Sequence, residues 1–114
     1  MISGIGATLA GLFAFRKKID NAASNVANSN TDNYKKTDAT ITEGRESLPD
    51  VTTRKIDSPG ALIQESDGIM RETSNVELSE EIPQMMIAQR GYEANLKALK
   101  TQEELLDSVI DIMA

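Results

Sequence analysis

The side chains of this sequence best suited to acid–base work are carboxylates in pairs: Glu80 with Glu81, Glu103 with Glu104, and Asp107 with Asp111. Such a pair yields a general acid only where an apolar wall lifts one pKa. These pairs lie in helical periodicity with no apolar wall beside them, the pattern of a solvated helix face. Asn28, Asn30 and Asp32 alternate like the first half of a calcium loop, but Asn33 stands where the tight-turn glycine belongs. Ala39 occupies the twelfth position, where a bidentate Glu is needed, so the match fails. Gly4-Ile5-Gly6 follows no strand and completes no phosphate-binding loop. The chain has no Cys and no His, which excludes disulfides, thiolate chemistry, imidazole catalysis and the usual zinc sites. The expectation is a protein that is not an enzyme, with no catalytic residue, no metal ligand and no cofactor.

The elements that would carry such groups are helical at both ends. Ile2, Ile5, Leu9, Leu12, Arg16, Ile19, Ala23 and Val26 alternate by three and four residues, and seven of the eight are apolar. That is the seam of a coiled-coil-like helix, ending in the turn-forming run Asn28–Asn33. A longer stripe follows the same rule: Leu78, Ile82, Met85, Gln89, Tyr92, Leu96, Leu99, Glu103, Leu106, Ile110 and Met113. It predicts a rod of roughly 50 Å, which can cover its stripe only if the first helix lies along it. Pro83 fits only near the start of that helix, so its regular part is expected to begin between Ser79 and Pro83.

Residues 37–76 differ in chemistry. Thr-rich segments alternate with the turn signals Pro49-Asp50, Ser58-Pro59-Gly60 and Asp67-Gly68. Strands are expected near 51–57 and 61–65, joined through Ser58-Pro59-Gly60, with a third near 69–72. Apolar content is thin, so the insert reads either as a small hairpin resting on the helices or as partly disordered. The domain division is therefore 1–36 (helix and Asn-rich turn), 37–76 (small β-rich insert) and 77–114 (heptad helix). The fold class is mainly α, two long helices pairing around a hairpin-containing insert.

Charge is uneven. The net formal charge is −6, yet residues 1–36 hold five basic and two acidic side chains, against three and eight in residues 77–114. Ends of opposite sign register with each other or with a neighbouring copy. The net acidity and the small Lys35-Lys36 cluster argue against nucleic acid as a partner. Ile2–Phe15 is free of charge, but its cations, Arg16-Lys17-Lys18, follow the apolar stretch rather than precede it, so a cleaved signal peptide is not expected. Fourteen residues are also short of the roughly 20 that cross a bilayer as a helix, so no stable membrane insertion is expected.

Ala22–Asn28, reading AASNVAN, followed by Ser29-Asn30-Thr31-Asp32-Asn33-Tyr34-Lys35, resembles the N-terminal signature of flagellar rod, hook and hook-associated axial proteins. The family's usual form is A-x-N-[IL]-A-N-x-x-T-x-G-Y-[KR], which Asn25, Ala27, Asn28, Thr31, Tyr34 and Lys35 match position by position. Asn33 replaces its glycine, and Asn is the other residue that best tolerates positive φ. Ser74-Asn75-Val76-Glu77-Leu78 with Glu80-Glu81, and Gln89-Arg90-Gly91-Tyr92-Glu93-Ala94-Asn95, are similar to the family's C-terminal motifs. Val51–Gly60 and the AASNVAN wording resemble the C-type proximal rod members.

The resemblance implies a structural subunit of the basal-body rod whose terminal helices form an antiparallel coiled coil and pack into a tube. It implies partners among other rod proteins and copies of the same chain, and passage through the flagellar export apparatus without a cleaved signal. Helix pairing and subunit packing would then fall to Leu9, Leu12, Ile19, Val26, Leu78, Ile82, Met85, Tyr92, Leu96, Leu99, Leu106 and Ile110. Asn25, Asn28, Thr31 and Tyr34 would fix the turn, with Ala27 and Lys35 completing the motif, and Gln89, Arg90 and Asn95 would be available to neighbours. Two other classes compete: a membrane-docking protein using residues 2–15, and a helical binding module for flagellar export.

Overall fold

The structure is a computed structural model that describes Ile2–Ala114; Met1 and the side chain of Ile2 lie outside the described residues. Helix α1 (Ile2–Ala27) leads into strands β1 (Thr37–Glu43) and β2 (Pro49–Lys55), then β3 (Leu62–Gln64) and β4 (Met70–Glu72), and helix α2 (Leu78–Met113) closes the order. The two helices lie side by side and antiparallel, since Gly4 meets Gln102, Gly11 meets Asn95 and Phe15 meets Gly91. The result is a rod of 79 × 23 × 14 Å.

The helices approach closely because the residues between them are small. A Cβ on Gly91 would stand 2.4 Å from the Phe15 ring and force the ring aside, and one on Gly11 would stand 2.7 Å from Asn95 Oδ1 and displace that amide. Ala14, Ala22 and Ala88 are buried in the same interface, with Thr8 and Leu12. Thr8 Oγ1 lies 2.9 Å from the Gly4 carbonyl and 3.0 Å from Gln102 Oε1, tying the helices near the start of α1.

The aliphatic stripes predicted from sequence divide between two directions. Leu12 is buried, and Ile5, Ile19, Val26, Met85, Tyr92, Leu99 and Leu106 are half-buried along the helix interface. Leu9, Leu78, Ile82, Leu96 and Ile110 face outward and are exposed. A heptad has two seam lines, and here the second line of contact is filled by Gly11, Ala22 and Asn25 against Glu81, Ala88 and Asn95. The seam is thus rotated from the expected one, because small side chains let the backbones close on that side.

The insert contains two antiparallel hairpins, differently paired from the expectation. β1 pairs with β2 from Thr37↔Lys55 to Glu43↔Pro49, and β3 pairs with β4 from Leu62↔Glu72 to Gln64↔Met70. Residues 51–57 therefore do not pair with 61–65. The missed strand, β1, offers seven consecutive residues to β2, which outweighs a three-residue pairing across Ser58-Pro59-Gly60. The β1–β2 hairpin leans on α1. Helix α2 begins at Leu78, slightly before the predicted window. Pro83 is accommodated in its second turn, where it removes one backbone donor.

Candidate functional site: a polar joint and the outer helix faces

Where the helices meet the insert, a polar joint replaces apolar packing. Asn25 has no exposed surface, and both ends of its amide are fully used. Its Nδ2 donates to the Thr37 carbonyl at 2.8 Å and to Glu81 Oε2 at 3.1 Å. Its Oδ1 accepts from Tyr34 Oη and from the Thr37 backbone N–H, both at 3.1 Å. One side chain so binds α1, the end of the turn, the first strand and the start of α2. Asn21 Nδ2 donates to the same Thr37 carbonyl at 2.6 Å.

The turn itself is held locally. Asn28 Nδ2 reaches back to the Ser24 carbonyl at 2.9 Å, satisfying an acceptor at the end of α1, and Thr31 Oγ1 donates to Asn28 Oδ1 at 3.1 Å. Asn33 adopts φ 59°, the left-handed conformation that the family's glycine would supply. Ala27 is the exposed last residue of α1. Lys35 pairs with Glu72 and also donates to the Ser58 carbonyl at 3.2 Å, drawing β4 and the Ser58-Pro59-Gly60 loop onto the turn.

A second asparagine mirrors the first. Asn75 Oδ1 accepts the Lys36 N–H at 2.6 Å, while its Nδ2 donates to the carbonyls of Ile56 at 2.8 Å and Ser58 at 3.0 Å. Buried Ser74 accepts the Val76 N–H at 3.1 Å, shaping the entry to α2. Lys36 Nζ pairs with Glu80 at 2.8 Å, and that hydrogen bond raises the lysine pKa above its ordinary value. Glu72 titrates below the usual carboxylate range because Lys35 bonds to it and the Gly60 N–H donates at 3.0 Å.

Two expectations are corrected here. Glu80 and Glu81 are not a solvated acidic face: Glu81 is buried against Asn25, and Glu80 is engaged by Lys36. Asn95 is not on an outer surface. It sits in the helix interface opposite Gly11 and donates to its own helix at Gly91 O, 2.9 Å away, whereas Gln89 and Arg90 are exposed. Sequence reasoning read Glu81 only as an acidic residue at the start of the second helix and gave Glu81, Asn75 and Asn21 no place in a buried joint. The signal for the first two was their place in the second motif, Ser74–Glu81; Asn21 carried none.

Among the described residues no group of His, Cys, Asp or Glu is arranged to hold a metal, and no helix is long and apolar enough to cross a membrane. The joint's hydrogen bonds are saturated, and the arrangement is that of a fastening.

Comparison with known proteins follows the same two segments. Residues 9–35 match the family described as "Flagella basal body rod protein", and residues 67–112 match "Flagellar basal body rod FlgEFG protein C-terminal". Each match covers less than half of the chain, and the two together make its first helix with the turn, and its second helix, similar to flagellar basal-body rod proteins.

The flagellar hook protein FlgE of Escherichia coli is 42% identical over 41 residues, covering 36% of this chain and 10% of the relative. The flagellar basal-body rod protein FlgG of Bacillus subtilis is 33% identical over 72 residues, covering 60% and 26%. The hook protein FlgE of Helicobacter pylori is 36% identical over 45 residues, covering 40% and 6%. The chain thus spans about a quarter or less of the length of these relatives. They are named as hook and G-type rod proteins, so they lend no support to the C-type likeness of Val51–Gly60. The two family matches bracket the joint: Asn25 and Tyr34 fall in one, Asn75 and Glu81 in the other.

Proposed function

We propose that this chain is an axial subunit of the flagellar rod, with its helix pair as the packing unit and the insert at one end of that pair. The observation that carries the reading is the joint. Two family motifs far apart in sequence, with Asn25 and Glu81 56 residues apart, supply the two halves of one hydrogen-bonded cluster centred on that buried pair. Its partners in this reading are copies of itself and other rod proteins, with export through the flagellar apparatus. Outward Leu9, Ile82, Leu96 and Ile110 supply surface for neighbours, with Gln89 and Arg90 beside them. The C-type placement within the rod rests on the wording of Ala22–Asn28 and Val51–Gly60.

The membrane-docking alternative loses its basis in α1, because Thr8, Gly11, Leu12 and Ala14 of the proposed docking segment are buried within the fold. An epitope-tagged chain expressed in its flagellated host tests the reading. It is expected in purified hook–basal-body particles after detergent and salt washing, and Asn25→Ala lowers its amount there. Recovery of the wild-type chain wholly outside those particles would reject a rod role.

A further inference from the structure

The helix pair leaves a shallow apolar groove of about 430 Å³ on α2, lined by Glu93, Leu96, Lys97, Leu99, Lys100 and Glu103. Those positions form two overlapping sets spaced i, i+3, i+4, i+7, which is the hole that accepts a side-chain knob from a facing helix. Leu96 in its floor is 49% exposed. The chain also carries a knob with nothing to fill: Phe13, on the outer side of α1, is 62% exposed, with exposed Leu9 one turn before it and Arg16 one turn after.

We propose that a second copy of this chain seats the Leu9–Phe13–Arg16 face of its α1 in the Leu96–Leu99 groove. The inference rests on the rod reading for its setting but not for its contacts. Charge favours one direction. With Phe13 over the centre of the groove and the two helices antiparallel, Arg16 and Lys17 come within about two residues of Glu93, and Asp20 within about one of Arg90. With the helices parallel, Arg16 and Lys17 would fall between Lys100 and Glu103, and Asp20 between Glu104 and Asp107, a like-charge clash.

Because α1 and α2 are antiparallel within one copy, antiparallel contact between copies means that both copies point the same way. Phe13 is level with Glu93 in its own molecule, by the pairing that sets Gly11 beside Asn95. Reaching the groove centre of the neighbour needs an axial shift of about five residues, or roughly 8 Å. The contact joins two different faces of the same chain, so it propagates without closing on itself unless the rotation closes a ring.

The absence of cysteine makes the test clean. Single variants Phe13→Cys and Leu96→Cys are mixed at high concentration and treated with a short bis-maleimide. The expected product is a mixed dimer, in clear excess over either variant alone and over Phe13→Cys mixed with Ile87→Cys, which lies elsewhere on α2. Equal yields with both partners overturn the proposal.

Because the cysteine variants alter the contact itself, charge reversal gives an independent reading. Arg16→Glu and Glu93→Arg each weaken self-association about tenfold in sedimentation, and together they restore it, with unchanged circular dichroism throughout. A double variant no stronger than the singles, or a wild-type chain monomeric at every concentration, also overturns it. The same cross-link sought in basal-body particles separates the two readings. Incorporation without a 13–96 cross-link leaves the rod role standing and removes this contact, while cross-linking of a chain that never enters the particles does the reverse.

Discussion

The two ends of the rod are held by opposite means. At the joint, Asn25 is fully enclosed and every hydrogen-bonding position of its amide is occupied. At the far end, α2 runs on past the level of Gly4, and Ile110, Ile112 and Met113 are 62%, 83% and 82% exposed. One end is specified by directional polar contacts within the chain; the other displays apolar surface that nothing among the described residues covers. A fastening that must form in one way only is better built from hydrogen bonds, which fail when misaligned. A surface meant for neighbours is better apolar, because burial there is non-directional and waits for association.

That contrast can be broken at the joint first. Asn25→Ala leaves the Tyr34 hydroxyl, the Thr37 N–H and the Glu81 carboxylate without that partner, while the Thr37 carbonyl keeps Asn21. Each buried unsatisfied group costs about 1–3 kcal/mol, so an expected loss of about 3 kcal/mol or more should appear in urea unfolding followed by circular dichroism. Gly91→Val pushes a branched side chain into the Phe15 ring and is expected to cost about 2 kcal/mol by overpacking in the same assay.

Acid gives a smaller, signed effect. The folded pKa of Glu72 is lowered by Lys35, so its contribution is complete above the ordinary carboxylate range. It is lost as pH falls through the lowered value. The stability difference between wild type and Glu72→Gln should therefore be constant above about pH 5 and shrink in stronger acid. Lys36, raised by Glu80, works at the other extreme: its contribution holds through neutral pH and fades only as pH rises beyond the ordinary lysine range. Ile112→Ser at the far end should leave unfolding unchanged within about 0.5 kcal/mol, while lowering recovery of the chain in basal-body particles. A large loss of monomer stability from that change would erase the distinction between the ends.

How much of this was legible in the sequence depends on which side chains did the packing. The three-and-four spacing of aliphatic residues revealed both helices, because that periodicity follows directly from helix geometry. It located only one line of the seam. The other line is made of Gly11, Ala22, Asn25, Ala88 and Asn95, whose value lies in being small or in bonding across the gap, and hydrophobic patterning does not register either property.

Asn25 stood out through its motif. Burial of Glu81 did not, since a carboxylate pair on a helix reads as solvated until the partner amide is in place. β1 was missed because TDATITE offers only Ala39 and Ile41 as apolar residues. The bend after it also uses positive φ at Glu46 and Ser47, neither a residue type that announces such a turn.

The bond between Asn25 and Glu81 spans 56 residues of chain. A ribosome adding about 5–20 residues per second needs about 3–11 s to travel that distance. Throughout that interval α1 has been made and its mate has not, leaving Leu12, Ala14 and the Phe15 ring facing water or a chaperone. Glu81 only begins the closure, which runs from the joint outward as Gly91, Asn95 and Gln102 follow it, and any slowing of translation across the threonine-rich middle lengthens the time during which the first helix stands alone.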